Sequence, residues 1–224
     1  MDRPDDCAIV FNTFVDNRTH LQLARAAGER LGARLQGLAL AVVGAAIVAA
    51  SAQIVIPLPG TPVPITGQTF GVLLVGAALG ARRGLASMAL YLALGILGAP
   101  IFREGSHGIE KFFISGDAGL LQFAPTGGYL VGMLFAGWIV GRLADLGWDR
   151  SVIGTVAAMA IGSLIIYSFG VPWLAASANL EIGVAFEKGV APFLLGDAIK
   201  LGLAAAVFPS AWWYVNHGRS DGPR

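Results

Sequence analysis

Six long apolar segments, separated by polar connections, follow a polar N-terminal stretch. They lie at residues 35–56, 67–81, 84–98, 126–147, 151–174 and 190–215. A helix needs about 20 apolar residues to cross a bilayer. The second and third segments are shorter, and only a few residues around 81–84 separate them, so we expect a tight helical hairpin there. The pattern predicts an all-α membrane protein, a bundle of six transmembrane helices.

The polar ends of the chain set the predicted domain boundaries. Residues 1–33 form a polar cytoplasmic extension, which ends either in an interfacial helix or in a poorly ordered tail. Residues 34–217 form the six-helix transmembrane domain, and residues 218–224 form a cytoplasmic tail. We expect no signal peptide, because Asp2, Asp5 and Asp6 stand where a basic region should be and no apolar region follows.

Composition supports the bilayer as the solvent for this chain. Of its 224 residues, 55% are hydrophobic and only 13% are charged, whereas soluble domains carry about 25% charged residues. The net charge of +1 favours no contact with nucleic acid, and the single cysteine, Cys7, excludes an internal disulfide. We therefore expect a multi-pass protein of the cytoplasmic (inner) membrane.

The distribution of Lys and Arg predicts the orientation. An even number of spans places both termini on one side, and that side carries 11 of the 15 Lys and Arg residues. The connections on the other side carry Arg103, Lys111 and Lys188. Because basic residues accumulate on the cytoplasmic side, both termini are predicted to be cytoplasmic. The connections at 56–66, 99–125 and 175–190 then face outside.

Asp197 and Lys200 stand out because they lie inside the sixth apolar segment. An ionisable group in hydrocarbon costs several kcal/mol and usually faces a cavity, a partner or a ligand. Positions three apart share one face of a helix, so an acceptor and a donor lie side by side. A ligand with both N–H donors and a carbonyl would match the pair. The alternative is an ion pair that satisfies itself and fixes helix packing.

Two predicted outer connections adjoin this pair. The first, 56–69, contains four prolines, which stiffen it; it suits a wall or a lid, or a rigid connection alone, and Gln68 adds a polar group near the mouth. The second, 99–124, is long enough to be a binding loop. Its His107 has no second His or Cys at metal-binding spacing, so no metal site is predicted. The helix that begins at Thr126-Gly127-Gly128 would favour an anionic group at its N-terminus.

Small residues repeat at Ala41, Ala45 and Ala49 in the first segment, which would let another helix approach closely, either within the chain or from a partner. The sequence contains no GxxxxGK[ST] motif, so no ATP site is predicted. An intramembrane enzyme acting on a lipid through Asp197 would need a second catalytic group besides Lys200, and none is evident. We expect no enzymatic activity and no cofactor.

Five ordered motifs resemble the BioY family, the substrate-binding S-components of energy-coupling factor (ECF) biotin transporters. They are residues 63–69 (VPITGQT), 80–84 (GARRG), 95–102 (GILGAPIF) with Tyr91, 125–130 (PTGGYL) and 192–200 (PFLLGDAIK). The resemblance covers most of residues 35–215. The chain departs from the family pattern by an insertion at about 110–122 and by Ala124, where the family usually has Gly.

The resemblance implies a six-helix subunit that binds biotin from outside and docks on a transmembrane coupling protein driven by two ATPases. The ureido ring of biotin would then meet Asp197 and Lys200, and the stripe of Ala41, Ala45 and Ala49 would contact the coupling protein. The remaining implied ligand contacts are Gln68, the wall residues Tyr91 and Tyr129, and, for the carboxylate, Ser106, His107 and the amides of Thr126, Gly127 and Gly128. Alternatives are a solitary biotin transporter, as a homo-oligomer or otherwise, and an S-component for a related vitamin.

Overall fold

A computed structural model of the protein describes residues 29–115 and 121–218. The chain divides into two compact units, residues 1–39 and 40–224. The described part of the first unit is helical from Glu29 onward. Most of the predicted N-terminal extension and of the C-terminal tail lies outside the described residues, so the interfacial helix stays a prediction.

The described residues are mostly helical, as the sequence predicts, with two short antiparallel hairpins. The helices are α1 (Glu29–Ala52), α2 (Gln68–Ile96), α3 (Gly127–Asp145), α4 (Val152–Ala178), α5 (Ile182–Gly189) and α6 (Leu194–Gly218). Strands β1 (Val55–Ile56) and β2 (Ile65–Thr66) pair Val55 with Thr66, and β3 (Phe113–Ser115) and β4 (Leu121–Phe123) pair Phe113 with Phe123.

Five helical stretches in the described chain are long and apolar enough to cross a membrane. They are Glu29–Ala52, Gln68–Ile96, Gly127–Asp145, Val152–Ala178 and Ile182–Ser210, the last running through α5 into α6. The first begins earlier than the predicted residue 35. The second combines the second and third predicted segments, so the predicted count of six depends on how α2 is divided.

Helix α2 is broken at Gly80, where φ is 78° and ψ is 175°. A side chain at this φ is strained, which explains the glycine. A Cβ built on Gly84 would lie 3.0 Å from the Cα of Gly76, although eight residues of straight helix span about 12 Å. The two parts of α2 therefore fold back on one another. Asp145 stabilises the turn, since its Oδ2 accepts a hydrogen bond from the amide of Ala81 at 3.1 Å.

Glycines allow the helices of the 40–224 unit to pack at short distance. A Cβ on Gly141 of α3 would lie 2.6 Å from the amide nitrogen of Ala81 in α2. A Cβ on Gly132 would lie 2.9 Å from the Cα of Ile166 in α4. Small residues at such contacts let backbones approach, and van der Waals packing then holds apolar helices together.

The alanine stripe of α1 lies inside this packing. Ala41 and Ala45 are only 4% and 5% exposed, and Ala49 is half-buried. Between them, a Cβ on Gly44 would collide with the side chains of Ser87 and Val75 in α2. This arrangement favours the intramolecular alternative, because the two most buried alanines present no surface to a second protein in this conformation.

The three connections predicted to share the outer side meet at one end of the molecule. Gln53, just after α1, donates to the carbonyls of Ile101 and Phe102 at 3.3 and 3.1 Å. Tyr129 at the start of α3 donates to the carbonyl of Gly189 at 3.0 Å. The second and third of these connections were predicted to be loops. The second contains the hairpin β3–β4 and the third contains helix α5.

Candidate ligand-binding site

A cavity opens at this end of the molecule, with about 740 Å³ of empty space that includes its solvent-exposed mouth. The lining residues come from the first two connections, from α2, α3, α4 and α6, and from the residues that flank α3 and α6: Val63, Pro64, Thr66, Gln68, Thr69, Phe102, Arg103, Lys111, Thr126, Tyr129, Leu130, Met133, Ser163, Ile166, Tyr167, Phe193, Asp197 and Lys200.

Asp197 lies in the first turn of α6 and is 8% exposed. The hydroxyl of Tyr167 in α4 donates a hydrogen bond to its Oδ2. The Nζ of Lys200, one turn further along α6, lies 3.5 Å from its Oδ1. That distance exceeds the usual 2.7–3.2 Å of an N–H···O hydrogen bond. Oδ1 therefore keeps acceptor capacity for another donor.

Lys200 has its shortest contact with a different residue. Its Nζ donates to the Oγ1 of Thr69 in α2 at 2.6 Å. An ammonium group has three donors, so Thr69 and Asp197 leave at least one of them for a ligand acceptor. The pair predicted from spacing is thus present and lines the cavity, and it is joined to α2 and α4 by Thr69 and Tyr167.

Gln68 is a second polar group with unused hydrogen-bonding capacity. It lines the cavity and is 5% exposed, and its Nε2 has no hydrogen-bond partner among the described residues. A buried donor without a partner costs about 1–3 kcal/mol. A ligand acceptor placed in the cavity would recover part of this free energy.

Apolar side chains form most of the remaining wall. The first connection supplies Val63 and Pro64, as expected for a stiff wall, and the strand pair β1–β2 joins the two ends of this connection. Met133 of α3, Ile166 of α4 and Phe193, just before α6, add further apolar side chains. The cavity therefore suits a ligand with an apolar body and a polar head that carries both donors and acceptors.

Three of the predicted ligand-binding side chains do not line the cavity. Tyr91 is fully buried in the core, where its ring packs edge-on against Phe102 at a centroid distance of 5.4 Å. Ser106 donates its hydroxyl to the carbonyl of Arg103 at 2.6 Å, and His107 is exposed outside the cavity. The family resemblance implied ligand contacts for all three, but Tyr91 lies in the core, and Ser106 and His107 follow the turn Arg103–Gly105 outside the cavity lining.

The glycines at the start of α3 face α4 instead of the cavity. A Cβ on Gly128 would lie 2.3 Å from the Cβ of Trp173, and one on Gly127 would lie 2.8 Å from its ring. The amide of Gly127 already donates to the carbonyl of Ala124 at 3.1 Å. The close backbone approach expected here thus serves helix packing, whereas the neighbouring Thr126 and Tyr129 do line the cavity.

Several lining residues were not predicted. Ser163, Ile166 and Tyr167 lie at positions i, i+3 and i+4 of α4, so one helix face presents them together. Ser163 and Tyr167 are two polar residues on one face of an apolar span, and this pattern in the sequence could have indicated a polar site. Arg103 and Lys111 also line the cavity, but they belong to a connection whose folded shape the sequence does not reveal. Within the described residues, no group of three or more His, Cys, Asp or Glu could hold a metal ion.

Comparisons with known proteins agree on one family. The model of the BioY family matches residues 24–217. A Rhizobium etli protein named biotin transporter BioY is 36% identical over 172 residues, which are 74% of this chain and 86% of that protein. A Thermotoga maritima protein of the same name is 34% identical over 162 residues, which are 72% of this chain and 87% of that protein.

The fold is also similar to a solved structure. That structure is the S-component for biotin from an ECF-type ABC transporter, with a TM-score of 0.69 and 24% sequence identity. The alignment covers 85% of this chain and 94% of the solved chain. At this identity the likeness shows that the two chains share a fold.

Proposed function

The chain belongs to the BioY family, and from this membership we propose that it binds biotin in the cavity described above and carries it across the cytoplasmic membrane as the S-component of an ECF transporter. The observation that carries the proposal is the polar cluster of Asp197, Lys200, Tyr167 and Thr69. It lies in helices that are long and apolar enough to cross a membrane, and it keeps unused donors and acceptors.

The chemistry of biotin matches the polar cluster. Its ureido ring has two N–H donors and one carbonyl acceptor. In this proposal Asp197 accepts from the N–H groups, and Lys200 or the unpartnered Nε2 of Gln68 donates to the carbonyl. A carboxylate hydrogen bond contributes more than a neutral one, about 1.5–3 kcal/mol, so the acid should dominate recognition of the ring.

The apolar wall suits the remainder of the molecule. The bicyclic body and the valeryl chain of biotin carry few polar groups, and Met133, Ile166 and Phe193 line the space next to the polar cluster. The hydroxyl of Tyr129 donates to Gly189, so its ring is the part available to the ligand. Burial of apolar area contributes about 25 cal/mol per Å², which supplies affinity, while the polar cluster supplies selectivity.

We assign six membrane crossings, with both termini in the cytoplasm. The reversal of α2 at Gly80 divides this helix into two crossings, in agreement with the two short apolar segments. Arg82 and Arg83 are exposed beside this turn, and Asp145 at the end of α3 contacts it. The basic residues of these connections then face the cytoplasm, and the cavity opens to the exterior.

Transport energy would come from partner proteins in this proposal. The sequence has no P-loop motif, so a coupling protein and two ATPases would drive release of biotin inside. Uptake of labelled biotin into cells that express the chain alone, or together with such a module, tests this part. Accumulation that needs the module supports an S-component, whereas equal accumulation without it supports a solitary transporter.

Binding itself is tested with the purified chain in detergent. Isothermal titration with biotin should give one site per chain, and an analogue without the ureido carbonyl should bind much more weakly because Lys200 and Gln68 lose their acceptor. Equal affinity for both ligands would place the ring away from the polar cluster. No binding of biotin by folded protein would overturn the proposed ligand.

A further inference from the structure

The charges that line the cavity do not balance. Among the described residues, four charged side chains contribute to the lining, of which three are basic and one is acidic: Arg103, Lys111, Asp197 and Lys200. Lys200 and Asp197 face one another at 3.5 Å. The described residues therefore give the cavity lining two positive charges beyond this pair, and both come from the connection between α2 and α3.

Neither of the two additional cations has an acidic partner in the described part of the chain. Within those residues, no Asp or Glu side chain forms an ion pair with Arg103 or Lys111. The neighbouring Glu110 is exposed, and its carboxylate turns back toward the backbone of Gly108. Both cations are half-buried, so water compensates their charges less completely than at an open surface.

The backbone that carries Arg103 is held in place by the bundle. Phe102 is 2% exposed and packs against Tyr91 and Gly95 of α2. The amide of Phe102 donates to the carbonyl of Ser106 at 3.0 Å, and Gln53 accepts from the amide of Gly105 at 3.1 Å. The turn that carries Arg103 is therefore fixed on both sides, which reduces the entropy lost when a ligand binds.

The backbone around Lys111 is fixed in a similar way. The amide of Gly108 donates to the carbonyl of Gly95 at 2.7 Å, and the carbonyl of Phe112 accepts from the amide of Ala124 at 2.8 Å. Beyond it, the rings of Phe113 and Phe123 pack on Trp173 of α4, the latter at a centroid distance of 4.7 Å. Lys111 thus stands at the base of a hairpin that is anchored to the bundle.

We infer that Arg103 and Lys111 bind the anionic group of the transported ligand, so that the site selects a carboxylate over an uncharged tail. The inference rests on the proposed function, and it assigns the ligand carboxylate to residues other than Ser106, His107 and the α3 amides. Guanidinium and ammonium groups form charge-assisted hydrogen bonds with carboxylates, which are about twice as strong as neutral ones. An uncharged tail would leave two half-buried cations without a counter-charge from the described part of the chain.

The test compares biotin with biotinamide, which differs only in the charge of its tail. Titrations use the full chain in detergent as wild type, Lys111→Gln, Arg103→Gln, the double variant and Lys111→Arg. Lys188→Gln is the matched control, because Lys188 is a half-buried lysine of α5 that does not line the cavity. Biotinamide affinity also reports whether each variant retains a folded polar cluster.

Wild type should bind biotin more tightly than biotinamide. Each Gln variant should weaken biotin by about 10- to 100-fold, as expected for loss of a hydrogen bond to a charged group, and change biotinamide affinity less than about 3-fold. Lys111→Arg should retain most of the preference, and Lys188→Gln should retain all of it. Equal loss for both ligands in the Gln variants, or no loss for either, would overturn the inference. If the wild-type chain binds neither ligand, both the inference and the proposed function are overturned.

Discussion

Removal of the carboxylate charge at Asp197 separates a ligand-binding role from a purely structural one. In Asp197→Asn the Tyr167 hydroxyl keeps an acceptor, but Lys200 loses its counter-charge and keeps only Thr69. A ligand N–H would then meet a neutral amide. Lys200→Met in the same chain removes the unpaired ammonium while retaining a side chain of similar length.

The expected magnitudes follow from the exposure of the pair. Removal of one partner from a buried ion pair costs about 3–5 kcal/mol of stability. The side chains of Asp197 and Lys200 are still 12% and 18% exposed, so we expect about 3 kcal/mol or less. For binding, loss of a charge-assisted hydrogen bond of about 1.5–3 kcal/mol corresponds to about 10- to 150-fold weaker affinity. The double variant should recover stability, because replacing both charges by uncharged groups is often neutral or stabilising.

The assay pairs thermal unfolding in detergent with titration of biotin. Asp197→Asn should lower both the unfolding temperature and the affinity, whereas Asp197→Asn with Lys200→Met should restore the unfolding temperature and leave binding weak. Glu187→Gln, on the exposed surface of α5, controls for the loss of an acidic charge and should change neither. If the double variant recovers wild-type affinity, the pair serves helix packing alone and the proposed recognition of the ureido ring is wrong.

Helix packing at Gly141, the hydrogen bond of Asp145 and the unpartnered Nε2 of Gln68 can each be tested by one substitution. Gly141→Ala should lower the unfolding temperature, with a cost of about 1–3 kcal/mol, because its Cβ would lie 2.6 Å from the Ala81 amide nitrogen. At Gly202 nothing lies within 4 Å, so Gly202→Ala should leave the unfolding temperature unchanged or raise it. Equal effects of the two substitutions on the unfolding temperature would contradict the close contact of α3 with α2. Asp145→Ala should cost about 1 kcal/mol through loss of the cap on Ala81, without a change in biotin affinity. Gln68→Met should weaken biotin by about 2- to 10-fold, as for a neutral hydrogen bond, without loss of stability; unchanged affinity would exclude Gln68 from the ligand.

The sequence predicted the mostly helical architecture because apolar segments of span length leave few alternatives in a bilayer. It also predicted the turn in α2, since residues 81–84 interrupt two short apolar segments. It missed that α1 begins at Glu29 and that α4 extends to Ala178. Helix ends depend on capping and on contacts with neighbouring segments, which a hydropathy pattern does not contain.

The candidate site was predicted where local geometry suffices. Asp197 and Lys200 share a helix face at spacing i, i+3, and the structure places both in the cavity. The resemblance to the BioY family implied contacts from Tyr91, Ser106 and His107, but these side chains do not line the cavity. Tyr91 is fully buried in the core, the Ser106 hydroxyl donates to Arg103, and His107 is exposed. The direction of a loop side chain is decided by tertiary hydrogen bonds such as those of Gln53.

The sequence by itself determined that this chain needs a membrane and that one of its helices presents an acid beside a base. These are properties of composition and of helical periodicity. Only the tertiary structure decided which groups complete the site. Tyr167 reaches Asp197 from 30 residues away and Thr69 meets Lys200 from 131 residues away. These long-range contacts depend on how the helices are oriented and packed against one another, and no local sequence pattern determines that orientation.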